Sequence, residues 1–119
     1  MSDVEVLSAE IDASQGSFIH LLRFELLWDH PKFIALCWAM HNAAKSKTKQ
    51  SSLPRELSLL FWYCGTFVPK WIAQRDFRIG QPHIDYDRAI KVLRTLGNGW
   101  FGDDCVLADD EFARQLAAQ

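Results

Sequence analysis

The chain has 119 residues, with 49% hydrophobic and 24% charged side chains and a formal net charge of -2, the size and balance of one globular domain. A chain this long buries well over half the surface its unfolded form exposes, so neither a metal nor a disulfide framework is needed to hold a core. Cys37, Cys64 and Cys105 form no C-x-x-C pair, and their odd count argues against a disulfide scaffold.

The acidic amino terminus, Met1-Ser2-Asp3-Val4-Glu5, lacks the basic-then-apolar run of a signal peptide. From Val4 to Ile11 two periods compete: Val4 and Val6 alternate as in a strand, while Leu7 and Ile11 suit a helix. Ser14-Gln15-Gly16-Ser17 reads as a turn, and Ser17 can cap a helix carrying Phe18, Leu21, Leu22 and Leu26. Asp29-His30-Pro31 starts another, because a capping carboxylate precedes a proline whose missing N–H costs nothing in a first turn. Its seam, Phe33, Ile34, Cys37, Met40, His41 and Ala44, is the cleanest amphipathic pattern in the chain. It runs out into residues 45–52, expected to form an exposed basic loop carrying Lys45, Lys47 and Lys49.

Ser52-Leu53-Pro54-Arg55-Glu56 again resembles a helix start. Leu57 to Cys64 is apolar almost all round, which points to a buried central helix. The longest nearly apolar run, Leu57 to Val68, is too short to span a membrane and is broken by Ser58, Gly65 and Thr66. Gly65 and Pro69 are expected to interrupt the helix, Pro69 opening a short further one through Trp71, Ile72 and Phe77. Asp85 can cap a helix with Tyr86, Ala89, Ile90, Leu93 and Leu96 on its inner face, ended by Gly97-Asn98-Gly99. Trp100-Phe101-Gly102 then reads as irregular, and Asp109-Asp110-Glu111 starts a terminal helix. The expectation is an all-α, single-domain bundle of about five helices over residues 1–119, with a short strand admitted at the amino terminus.

Charge is unevenly spread. Residues 1–44 hold two basic and six acidic side chains, residues 45–94 ten and four, and residues 95–119 one and five. The basic middle is either a face for an anionic partner or the counterpart of the acidic ends folded back on it.

Candidates for chemistry are sparse. Cys37 and His41 share a helix face but lack a second pair of ligands, so a buried thiol and a core histidine are expected and no metal is assigned. His83, Asp85 and Asp87 could gather as an acid–base cluster, although Asp85 is better explained as a cap. The aromatic neighbours of Cys64 would raise its pKa rather than activate it. Gly97, Gly99 and Gly102 match a dinucleotide-binding spacing but follow a helix, not a strand. A helix-turn-helix centred on Gly65 fails on Phe61 and Pro69. No cofactor is expected.

Two sets of residues remain. Arg88, Lys91 and Arg94 recur every third residue and, with Lys45, Lys47 and Lys49, could bind phosphates. Trp28, Trp100 and Phe101 lie outside clear seams and could anchor an interface. The leading functional expectation is a non-catalytic, cytoplasmic protein-binding module of the adaptor, inhibitor or immunity type, without membrane association. A nucleic-acid-binding regulator using the basic residues is second, and a small enzyme built on His83 and Asp85 third.

Overall fold

The computed structural model describes residues 2–47, 52–74, 83–102 and 105–117. Among them six helices and no strand form an all-α domain: α1 (Asp3–Ile11), α2 (Phe18–Glu25), α3 (His30–Ser46), α4 (Arg55–Ile72), α5 (Tyr86–Phe101) and α6 (Asp109–Ala117). The long helix α5 packs on both α3 and α4, α1 lies against the same two helices, and α6 closes the end of α5.

The strand admitted at the amino terminus is a helix. Ser2 Oγ accepts the Glu5 N–H, and Asp3 and Glu5 place negative charge in the first turn, where the helix dipole favours it. Val6 and Leu7 pack against the core, while Val4 points outward. The turn before α2 uses Gly16 at a φ of +84°, a conformation that costs glycine little. Ser17 Oγ accepts the His20 N–H, Asp29 Oδ1 the Lys32 N–H and Asp85 Oδ1 the Arg88 N–H, so three of the four caps expected from sequence form. Ser52 does not cap. Pro54 occupies that place without a side-chain bond, and α4 begins at Arg55.

Three sequence breaks are overridden. The helix α3 carries Lys45 and Ser46 inside the expected loop, and residues 48–51, including Lys49, lie outside the described residues. α4 continues through Gly65 and Pro69. The proline forfeits only the bond its N–H would have given the Gly65 carbonyl, and Val68 and Ile72 on either side of it are fully buried. Trp71 and Ile72 therefore end α4 rather than populate a new helix, while Phe77 lies outside the described residues. α5 likewise passes through Gly97 and Gly99 to Phe101. A Cβ at Gly99 would lie 3.4 Å from Val106 Cα, so this glycine admits the returning chain rather than ending the helix.

Aromatic rings fill the core. Trp28 meets Phe18 edge-on at 5.0 Å and Tyr86 at 5.4 Å. Phe61 and Trp100 stack at 4.7 Å between α4 and α5, and the Trp100 indole N–H donates to Ser58 Oγ at 3.0 Å. Cys37 and Cys64 are buried thiols, and desolvation pushes both pKa values up, away from reactivity.

Candidate protein-docking surface

Two of the three expected anchors are core residues. Trp28 and Trp100 are 4% and 2% exposed, with partners for both rings and both indole N–H groups; the Trp28 N–H donates to His30 Nδ1 at 3.1 Å. Neither can reach a partner without unfolding. Phe101, 56% exposed at the end of α5, keeps a free face.

The expected basic patch also contracts. Lys45 Nζ donates to both carboxylate oxygens of Asp109 at 2.9 Å, and Lys47 Nζ donates to the Trp100 carbonyl at 2.6 Å, closing the carboxyl end of α5. These two lysines serve the fold. Arg88, Lys91 and Arg94 stay together on the outer side of α5, Lys91 and Arg94 exposed and Arg88 half-buried. Lys45–Asp109 is the ion pair among the described residues in which the acidic carboxyl-terminal region meets the basic middle.

The titratable clusters are occupied as well. His41 is buried on α3, and its Nε2–H donates to Asp109 Oδ1 at 2.9 Å. Bonds from Lys45 and His41 hold the Asp109 carboxyl below its usual range. Asp85 caps α5 and Asp87 stands exposed in its first turn, so the expected cluster with His83 is divided between two tasks. Burial, and after it the charge of His83, lowers the pKa of His30. No group of three or more His, Cys, Asp or Glu side chains that could hold a metal ion occurs among the described residues.

What sequence reasoning missed is on α4. This helix, expected to be buried all round, buries Leu60, Phe61, Cys64, Val68 and Ile72 on one side and turns Leu59 and Trp62 outward, 51% and 50% exposed. Arg55, Leu59, Trp62, Thr66 and Lys70 follow in steps of four, three, four and four, one continuous outer stripe. The signal was present in the sequence: Arg55 and Lys70 bracket Leu59 and Trp62 on the same helical face.

Beside Leu59 lies a groove of about 220 Å³ between α1, α2 and α4, walled by Ile11, Ile19, Leu59, Leu60 and Tyr63, with Arg23 and Glu56 among its polar members. Its inner end is fixed by Glu10, which reaches from α1 to accept the N–H groups of Phe18 and Ile19, each at 2.8 Å. Burial raises the Glu10 pKa, against the pull of those two N–H groups, of Lys32 and of Ser17. Burial also pushes the Tyr63 phenol up, opposed by Arg23 and a hydrogen bond with Trp71. The carboxylate is spent on the fold, so what the groove offers is apolar shape with charge at its edge. It suits recognition better than proton transfer.

No helix among the described residues is long and apolar enough to cross a membrane. No protein-family model matches the chain, nor does any curated protein or solved structure.

Proposed function

We propose that this protein is a non-catalytic binding module that acts by docking on a partner protein, in the manner of a small adaptor, inhibitor or immunity-type protein. The observation that carries the reading is the outer face of α4, where Leu59 and Trp62 stand half-exposed beside an apolar groove. Exposed tryptophan next to aliphatic side chains concentrates binding energy when a partner excludes water from it. The three free thiols suit a reducing compartment, and a cytoplasmic setting belongs to the proposal. The test is affinity capture with the wild-type protein and with Leu59→Glu, run side by side. A stoichiometric protein that survives nuclease and is lost on Leu59→Glu supports the reading. A partner retained equally by both, or none on either, contradicts it.

The second reading, a nucleic-acid-binding regulator, keeps one supporting observation: Lys91 and Arg94 are exposed together on α5, with Arg88 beside them. It has lost Lys45 and Lys47 to contacts within the protein. Nucleic acid retained on the wild type, released steeply by salt and lost on Lys91→Glu/Arg94→Glu, would favour it.

A further inference from the structure

The apolar strip on α4 is bordered by cations that no ion pair among the described residues neutralises. Arg55 stands at one end of the strip, Lys70 at the other, and Arg23 lines the groove from α2. None of the three takes part in the ion pairs found among the described residues. Arg23 lies over the Phe24 ring and Lys70 over the Phe67 ring, each 5.2 Å from the centroid. Their hydrocarbon stems thus follow apolar surface and their charges stand at its edge. Two carboxylates line the groove: Glu56, exposed at its border, and Glu10, buried and held by the N–H groups of Phe18 and Ile19.

At the exposed edge Arg23, Arg55 and Lys70 stand against Glu56, and this excess of positive charge selects the occupant. A second copy is disfavoured: two α4 strips paired antiparallel about a two-fold axis would set Arg55 of each against Lys70 of the other. An anionic surface with an apolar seam is favoured. The shape narrows this further. The groove walls are mainly aliphatic, which suits branched side chains projecting from a helix better than the proline rings of an extended peptide. No strand edge among the described residues invites strand addition.

We infer that the α4 strip and its groove receive an acidic amphipathic helix of the partner protein. Aliphatic anchors on one face of that helix would enter the groove and cover Trp62, while Asp and Glu along its flanks meet Arg23, Arg55 and Lys70. The strip from Arg55 to Lys70 is about 22 Å long, so about four turns of partner helix cover it. The inference rests on the docking function proposed above and adds the chemistry of the occupant.

The test is selection from a displayed library of helices of about four turns, randomised at every surface position including charge. The whole protein is the target and Leu59→Glu the counter-target. Unchanged circular dichroism and urea midpoint confirm that the variants fold, and Trp62→Ser serves as an independent second disruption of the strip. The expected result is a pool enriched in Asp and Glu beside its aliphatic face. Its members should bind Arg55→Glu/Lys70→Glu at least about tenfold more weakly, and Lys-flanked versions should recover on that variant. Leu59-dependent helices with neutral or basic flanks would overturn the acidic occupant while leaving the docking function intact. So would a homodimer in sedimentation that dissociates on Leu59→Glu, which assigns the strip to a second copy. A pool without Leu59-dependent binders also overturns the inference, and the capture experiment then decides the docking function separately.

Discussion

His41 on α3 and Phe112 on α6 lie ring on ring, with centroids 4.2 Å apart and planes within 1° of parallel. The same imidazole donates to Asp109, one turn earlier on α6, and Lys45 holds the other side of that carboxylate. The last helix is thus fastened by a clasp of two cation-capable side chains and one acid beside the core residues Phe112 and Leu116. Bonds from Lys45 and His41 keep Asp109 ionised below the usual carboxylate range. A carboxyl whose folded pKa is depressed contributes stability above its unfolded value, and that contribution is lost as pH falls through the folded one. α6 should therefore loosen before the rest of the chain below about pH 4. Amide exchange in α6 should accelerate on acidification ahead of α4, and Asp109→Asn should show the faster exchange already at neutral pH.

Glu10 has the opposite sign. Burial raises its pKa, so its contribution is fully present below the unfolded value of about 4.3 and declines as pH rises through the folded one. Urea unfolding of the wild type should carry this slope as pH rises above about 4.3, and Glu10→Gln should remove it. Glu10→Ala is harsher. It orphans the N–H groups of Phe18 and Ile19 at the start of α2, at a cost of about 1–3 kcal/mol for each buried donor left unpaired.

Two tryptophans should behave in opposite ways. Trp100 is stacked on Phe61 and bonded to Ser58, so Trp100→Ala should cost about 3–5 kcal/mol. Trp62 is half-exposed, and Trp62→Ser should leave folding stability within about 1 kcal/mol while removing partner binding. Urea midpoints of the two variants measure the difference directly.

Pro69 lies inside α4, with a gap in the ladder at the Gly65 carbonyl. Restoring that bond outweighs the greater freedom alanine gives the unfolded chain, so Pro69→Ala should stabilise the protein by about 1–2 kcal/mol. A proline that opened a new helix at this position would instead be neutral or stabilising as it stands, and Pro69→Ala would then lower the unfolding midpoint.

Where local chemistry decides structure, the sequence was legible. Ser17, Asp29 and Asp85 cap the helices they were expected to cap, and of the seam Phe33, Ile34, Cys37, Met40, His41 and Ala44 all but the half-buried Ile34 are buried. Where tertiary packing outweighs a local preference, it was not. Pro69 and Gly97 break helices on propensity, yet Val68 and Ile72 in one case, and Leu96 and Trp100 in the other, gain burial only if the helix continues. The site was the least legible part. Trp28 and Trp100 look like anchors until Phe18, Tyr86 and Phe61 arrive from elsewhere in the chain to cover them. Leu59 and Trp62 sit in a run so apolar that periodicity alone cannot mark an outer side; only the charged residues a few turns away do so.

The most direct test of the docking face is site-specific photo-crosslinking in living cells, with a photoreactive amino acid placed at Trp62 on α4 or at Lys91 on α5. Both positions are exposed, so each reports what its own surface meets. A discrete protein adduct from position 62, absent from position 91, is the result expected of a protein-docking α4. Adducts from position 91 alone, or adducts to nucleic acid, would contradict it.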